Sequence, residues 1–204
     1  MDRTAISMRQ KILNESTRLF VRRGYDGVSI RDIAEACQMT KAALYYHFED
    51  KEHLLAAVLV SGLETLGRLV EDVLSQEQGT RARLHRLVQD LFTRLPAEQR
   101  ALIRLAIQEV GKIRPEWREE ILRRYREAFL RPLASIFATG QQRGEVRPLA
   151  VEMMVWAFLG MLYPFLDEAS LLHSEVSPEQ LEVLVQIFWE GISVNRTANA
   201  GENM

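Results

Sequence analysis

The chain has 204 residues, of which 47% are hydrophobic and 26% are charged, so it is long enough for one large core or two small ones. Its 26 basic and 28 acidic residues give a net charge of −2, which excludes a general attraction to polyanions. The single cysteine, Cys37, excludes an internal disulfide and a multi-cysteine metal site. It is also typical of a reducing compartment.

We expect a cytoplasmic protein that does not enter a membrane. Residues 1–5 are polar, and the apolar run of a secretory signal does not follow them. The longest apolar stretch, residues 153–166, has 14 residues. A membrane-spanning helix needs roughly 18 to 20, so we expect this stretch to be buried against protein.

Apolar residues recur at helical spacing along most of the chain. The clearest stripe runs through Leu84, Leu87, Val88, Leu91 and Leu95. Alternation of apolar and polar residues is too short everywhere to predict a strand. The pattern predicts an all-α fold with about nine helices. The predicted helices span residues 4–23, 30–36, 41–47, 51–76, 80–94, 97–111, 115–139, 149–167 and 178–194.

Start and stop signals support these boundaries. Ser29 and Asp32 form a capping-box pattern, and Thr40 and Asp50 are placed as N-caps. Pro132 lies inside the seventh segment, where the loss of a backbone donor predicts a kink or a break. The polar residues 197–204 are expected to form a flexible tail.

The segments 30–36 and 41–47, joined by three or four turn residues, have the layout of a helix-turn-helix. Ile33, Ala34 and Leu44 are predicted to form the core that the two helices share. Residues 1–51 carry a net charge of +2, whereas the rest of the chain carries −4. Layout and charge alone fit a DNA reader, but they also fit plain core packing with ordinary solvated faces.

The particular residues of this segment resemble the tetracycline-repressor (TetR) family of bacterial transcription regulators. The resemblance spans about residues 9–55, without gaps. Two positions depart from the family pattern: Gln38 stands where a turn glycine is usual, and Ala42 where glycine is frequent. Gln38 would then take a backbone conformation that glycine adopts at lower cost, by about 1 kcal/mol. The matching residues are Ile12-Leu13, Leu19-Phe20, Gly24-Tyr25, Val28-Ser29-Ile30, Ile33-Ala34, Leu44-Tyr45-Tyr46-His47-Phe48, Lys51, Leu54 and Leu55.

The resemblance implies that the protein binds a palindromic operator in double-stranded DNA as a homodimer. Long donors such as Arg31 and Lys41 can reach guanine O6 and N7, and Lys51 adds charge at a helix N-terminus. Phe48 is expected to pack in the core instead. The residues implied to face bases are Arg31, Lys41, Ala42 and Tyr46, with Ala43 near a thymine methyl group or the backbone. Those implied to face phosphates are Ser29, Tyr45, His47 and Lys51, and the full DNA-binding set also includes Thr40.

The resemblance also implies three parts: a helix-turn-helix domain at 1–50, a helical effector-binding and dimerisation domain at 51–196, and the tail. The last two predicted helices carry broad apolar surfaces. Pairs of such helices from two subunits can close a four-helix bundle; the alternative is that they pack inward only. The residues predicted for dimerisation are Val155, Phe158, Leu162, Leu181, Leu184, Val185, Phe188 and Ile192.

Aromatic residues in the middle helices could line a cavity for a small apolar effector, although for each of them core or surface packing is the alternative. The residues predicted for this pocket are Phe92, Gln108, Trp117, Tyr125, Phe129, Trp156 and Tyr163.

No catalytic, metal-binding or cofactor-binding motif is present in the sequence. The four histidines, His47, His53, His85 and His173, have no cysteine or second histidine at ligand spacing. The sequence therefore predicts a one-component transcriptional regulator, a repressor that a ligand releases from its operator, and not an enzyme. An activator, a regulator that answers to a protein partner or to no ligand, and a helical enzyme or ligand carrier remain the alternatives.

Overall fold

The computed structural model describes residues 7–76, 78–166 and 177–194. The predicted tail 197–204, residues 4–6 of the first predicted helix, residue 167 of the eighth and His173 lie outside the described residues.

The described residues are helical, apart from turns and an isolated antiparallel bridge between Val146 and Ser193. Short 3-10 turns cover Val110–Lys112 and Tyr163–Phe165. The predicted all-α fold is confirmed. The α-helices are α1 (Met8–Arg23), α2 (Ile30–Ala36), α3 (Lys41–His47), α4 (Lys51–Leu74), α5 (Thr80–Thr93), α6 (Ala97–Glu109), α7 (Pro115–Arg124), α8 (Arg131–Gln142), α9 (Val151–Leu162) and α10 (Pro178–Ile192).

The break expected near Pro132 takes the form of a π-helical segment, Tyr125–Leu130, which joins α7 to α8. Pro132 lies in the first turn of α8. Because proline has no N–H, the carbonyl group four residues earlier loses its usual partner, and the wider π turn accommodates that loss. If α7, this segment and α8 are counted as one continuous helix, the described residues form nine helices.

The chain divides into two compact units. The first comprises, among the described residues, 7–66 and 95–128. Its core contains Ile12, Phe20 and Leu59 together with side chains from α6, all nearly inaccessible to solvent. The shared core predicted for the helix-turn-helix is also confirmed, because Ile33, Ala34 and Leu44 are buried there.

The second unit comprises 67–94 and the described residues from 129 to 194. Three phenylalanines from α8, α9 and α10 form its aromatic centre: Phe158 lies 6.1 Å from Phe137 and 5.1 Å from Phe188 between ring centroids. Gly140 allows α8 to approach α5, since a Cβ atom there would lie 2.4 Å from Thr80 Oγ1 and 2.7 Å from Val146 Cγ2.

Helix α4 is long and apolar enough to cross a membrane by length and composition alone. However, 56% of its most apolar window is buried in the protein. The core helices of soluble proteins pass the same test, so the pattern of α4 is weak evidence for a membrane span.

Candidate nucleic-acid interface

Helix α2 begins with a complete capping box. The backbone N–H of Ser29 donates to Asp32 Oδ2 at 2.7 Å, and the N–H of Asp32 donates to Ser29 Oγ at 3.2 Å. Hydrogen bonds from the side chain and backbone of Ser29, helped by the Arg23 guanidinium, lower the pKa of Asp32 to about 2. The predicted cap is therefore confirmed, and it explains why the chain enters α2 at residue 30.

The turn between α2 and α3 depends on a strained glutamine. Gln38 has a φ of 58°, and among the described residues it is the one non-glycine residue with a positive φ. The N–H of Met39, which follows it, donates to the carbonyl of Ala34 at 2.9 Å. Lys11 Nζ donates to the carbonyl of Cys37 at 2.9 Å, which ties α1 to the turn. Gln38 therefore adopts the left-handed backbone conformation that the sequence predicts, which costs glutamine more free energy than glycine.

Cys37 itself packs in the core of the first unit, where it is 1% exposed. Burial raises the pKa of its thiol. A buried, protonated thiol is unreactive, so the cysteine acts as a small apolar residue of the helix-turn-helix.

Helix α3 buries one side and exposes the other. Thr40 caps it by accepting from the N–H of Ala43 at 3.1 Å. Leu44 and Phe48 turn into the core, whereas Tyr46 is 88% exposed. The Tyr46 ring meets the ring of His47 edge to face at 5.5 Å between centroids, and with the half-exposed Tyr45 it forms an aromatic surface on α3.

The structure brings the predicted DNA-binding residues to one part of the first unit, on α3 and at the starts of α2 and α4. Ala43, His47 and Lys51 among them are half-buried. The exposed members are Ser29, Arg31, Thr40, Lys41, Ala42, Tyr45 and Tyr46.

Two of these residues already have partners within the chain. Arg31 Nε lies 2.8 Å from Glu35 Oε1 on the next turn of α2. Lys51 Nζ donates to the carbonyls of Tyr25 at 2.9 Å and Val28 at 3.0 Å, and it lies 4.0 Å from the centroid of the Tyr25 ring. Lys51 therefore joins the start of α4 to the α1–α2 turn, a role that sequence reasoning missed.

The structure does not gather the predicted pocket residues within one unit. Gln108, Trp117 and Tyr125 belong to the first unit, and the other four belong to the second. An open groove of about 670 Å³ in the second unit lies beside Arg81, His85 and Glu182, and none of the predicted residues lines it. The effector pocket stays a prediction. In the described residues, three or more potential metal ligands do not come together.

The predicted dimerisation residues face the wrong way for a contact between subunits. All but the half-buried Leu184 are buried within a single subunit, around the aromatic centre of the second unit. The pattern identified the most apolar face of each helix correctly, but that face covers the subunit's own core. The residues that were predicted to contact a partner but are buried in their own subunit are Val155, Phe158, Leu162, Leu181, Val185, Phe188 and Ile192.

Both helices instead leave a second apolar row exposed. Met153 is 67% exposed and Ile187 is 60% exposed. A Cβ atom added at Gly160 or Gly191 would meet no atom of the subunit within 4 Å. We call these residues the outer rows. They are Met153, Trp156 and Gly160 on α9 with Tyr163 just beyond its end, and Val183, Ile187 and Gly191 on α10 with Val194 beyond its end.

Two short capped helices joined by a tight turn, with the second helix exposed, define a helix-turn-helix DNA-binding protein. Residues 12–58 match the family described as bacterial regulatory proteins, tetR family. Residues 77–164 match the tetracyclin repressor-like C-terminal domain. The chain is 30% identical over 150 residues to the HTH-type transcriptional repressor DhaR of Mycobacterium sp. strain GP1, covering 72% of this chain and 73% of DhaR. The chain belongs to the TetR family of bacterial transcription regulators.

Other relatives match either a short stretch of the chain or nearly all of it. The biofilm operon negative regulator IcaR of Staphylococcus epidermidis is 40% identical over 47 residues, which is 23% of this chain and 25% of IcaR. The crystal structure of AibR in complex with isovaleryl coenzyme A and operator DNA superimposes with a TM-score of 0.72 at 27% identity, covering 89% and 97% of the two chains. A tetR-family protein from Rhodococcus RHA1 shares the fold, with a TM-score of 0.77 at 20% identity over 94% of this chain and 100% of that one.

Proposed function

We propose that the protein is a cytoplasmic repressor that binds a palindromic operator as a homodimer and leaves it when a small apolar effector binds. The observation that carries this proposal is the exposed face of α3, where Lys41, Tyr45 and Tyr46 project from a buried helix-turn-helix core. The relatives DhaR and IcaR are named as repressors, which supports the same direction of regulation.

In this proposal residues 1–50 read the DNA and residues 51–196 hold the effector and the partner subunit. Arg31, Lys41 and Tyr46 lie on exposed surface from which they could reach base edges. Ser29, Tyr45 and Lys51 would contact the phosphates on either side. Such phosphate contacts position the reading helix without carrying sequence information.

The dimer would form through the outer rows of α9 and α10. A helix-turn-helix reads a palindrome when two copies lie about one turn of DNA apart, so operator recognition requires a symmetric pair. Gly160 and Gly191 leave room for another backbone to approach, and Trp156 beside them offers a large apolar contact.

The effector acts through its different affinities for two forms of the dimer. A ligand that binds the non-operator form more tightly by a few kcal/mol is sufficient to empty the operator. AibR was crystallised with an acyl coenzyme A ester, which supports a small organic molecule as the signal in this family.

Selection of sequences from random duplex DNA by the purified protein tests the proposal. We expect an enriched palindrome, bound with a steep dependence on salt concentration. Lys41→Ala should weaken binding and relax the sequence preference at the base that Lys41 is proposed to face. Arg123→Ala is the matched control, because Arg123 lies outside the helix-turn-helix. Its ion pairs are with Glu120 in α7 and Glu127 in the π-helical segment. Failure of the folded protein to enrich any sequence would refute the proposal.

A further inference from the structure

The start of α7 is joined by ion pairs to the start of α4, directly after α3, the proposed recognition helix. Arg114 Nη2 donates to Asp50 Oδ2 at 2.7 Å, and the backbone N–H of Arg114 donates to Glu52 Oε1. Arg114 Nε lies 3.4 Å from the same Glu52 oxygen. One residue therefore binds the carboxylates of Asp50 and Glu52, at the start of α4, by two of its donor groups.

Asp50 is at the same time the N-cap of α4. Its Oδ1 accepts from the N–H of His53 at 2.7 Å, as the sequence predicts for a capping residue. The other oxygen of this carboxylate binds Arg114. The guanidinium thus holds the capping group in place, so the beginning of α4 and the beginning of α7 are fixed together.

A column of rings connects the same two helices to the end of α3. The ring of His53 stacks on Trp117 with centroids 4.4 Å apart and planes 7° apart. Its other neighbour is Phe48, which it meets edge to face at 5.6 Å. Phe48 is the C-cap residue of α3 and is 1% exposed. Trp117 therefore reaches the recognition helix through a single intervening ring.

We propose, on the basis of the DNA-binding function above, that Arg114 and Trp117 are positioning residues for operator binding. Neither belongs to the exposed surface of α2 and α3 that would face DNA. They hold the joint of residues 48–53, which connects the end of α3 to the first turn of α4. When the joint is fixed before binding, less conformational freedom is lost on the operator, and affinity rises without an added contact.

The proposal predicts a separation between affinity and salt dependence. Arg114→Ala and Trp117→Leu should each weaken binding to the selected operator by fivefold or more, while the salt slope stays that of the wild type. Lys51→Ala, which removes a proposed phosphate contact, should lower both affinity and slope. Trp117→Phe keeps a flat ring against His53 and should recover most of the affinity that leucine loses. Arg123→Ala removes an equal charge from the same helix and should change neither quantity.

A second readout does not require DNA. Amide hydrogen exchange in residues 44–54 of the free protein should be faster by tenfold or more in Arg114→Ala and Trp117→Leu than in wild type or Arg123→Ala, at a temperature where circular dichroism shows all four to be folded. A double variant, Arg114→Ala with Asp50→Ala, should bind the operator no more weakly than the worse of its two single variants.

The possible outcomes separate this inference from the proposed function. If the wild-type protein selects no operator, the proposed function fails, and the exchange measurement still decides whether the joint is held. If the operator is bound but Arg114→Ala and Trp117→Leu bind it and exchange like Arg123→Ala, the positioning role is wrong. A fall in salt slope in Arg114→Ala would make this residue a phosphate contact and would also overturn the inference.

Discussion

Gln38 is the residue at which local backbone strain is largest in the helix-turn-helix. Its φ of 58° lies in the left-handed region, which side chains with a Cβ atom rarely adopt. We expect Gln38→Gly to raise the free energy of unfolding by roughly 0.5 to 1 kcal/mol, after allowance for the greater freedom of glycine in the unfolded chain. Urea unfolding followed by circular dichroism measures the change.

The control for this prediction is Gln38→Ala at the same position. Alanine removes the same polar atoms but keeps the Cβ atom that causes the strain, so it should give no comparable gain. Equal stability of the glycine and alanine variants would show that the strain is not what limits this turn.

Arg31 illustrates a competition between an internal partner and DNA. Its guanidinium is 2.8 Å from Glu35, and that hydrogen bond with the charge of Glu35 raises the pKa of Arg31. If Arg31 reads a base, Glu35 must release it, and the carboxylate also repels phosphates. Glu35→Gln should therefore tighten operator binding by about twofold or more, as expected for loss of an exposed ion pair of this kind.

Titration of the operator by fluorescence anisotropy measures this effect. Glu127→Gln is the matched control, since Glu127 pairs with Arg123 at the same spacing of four residues but outside α2 and α3. Arg31→Ala should weaken binding. If Glu35→Gln and Glu127→Gln give the same affinity, Arg31 does not leave Glu35 to bind DNA.

At the scale of the element, the capping box of α2 makes the stability of the folded protein depend on pH. The pKa of Asp32 is about 2 in the folded protein because it accepts hydrogen bonds from Ser29 and lies near Arg23. Since the folded pKa lies below the ordinary aspartate value of 3.8, the charged cap stabilises the fold above pH 3.8, and this stabilisation is lost as the pH falls toward 2. Asp32→Asn should melt below wild type at pH 6, and the difference should shrink between about pH 4 and pH 2.

Thermal unfolding at a series of pH values checks this prediction. Ser29→Ala serves as the comparison, because it removes the main hydrogen-bond donor and should reduce the acid dependence even though Asp32 is kept. A melting difference between Asp32→Asn and wild type that is unchanged down to pH 2 would mean that Asp32 does not stabilise α2 through its charge.

The elements also show what the sequence could predict. Helices α2 and α3 begin and end where predicted, because their caps, Ser29 and Thr40, bond to backbone groups three residues away. Such contacts are local and are readable in sequence. Arg114, 64 residues beyond Asp50, carries no comparable signal, so its ion pairs could be found only in the folded chain.

At the scale of the whole molecule, periodicity could not tell which apolar face meets a partner. Helices α9 and α10 each carry two rows of apolar residues at helical spacing, so periodicity alone predicts two possible packing faces. Phe158 and Phe188 pack inside the subunit, whereas Trp156 and Ile187 lie outside. Burial in the folded subunit separates these faces, which is why we propose the outer rows as the dimer contact.

The last prediction tests that corrected contact. In a symmetric dimer each interface residue occurs once in each subunit. One buried aspartate per chain therefore places two unpaired charges between the subunits. Ile187 is 60% exposed in the subunit, so Ile187→Asp should leave the helix content unchanged. We expect it to convert the protein to a monomer in sedimentation and to weaken binding to the full palindrome a hundredfold or more, with little effect on binding to a half-site.

Leu149→Asp is the matched control, because Leu149 is an apolar residue of the second unit that is 43% exposed but lies outside the outer rows. It introduces the same charge and should keep both the dimer and the operator affinity of the wild type. A dimer that survives Ile187→Asp unchanged would place the contact elsewhere on the subunit. Loss of the dimer in both variants would mean that added charge, and not the outer rows, determines assembly.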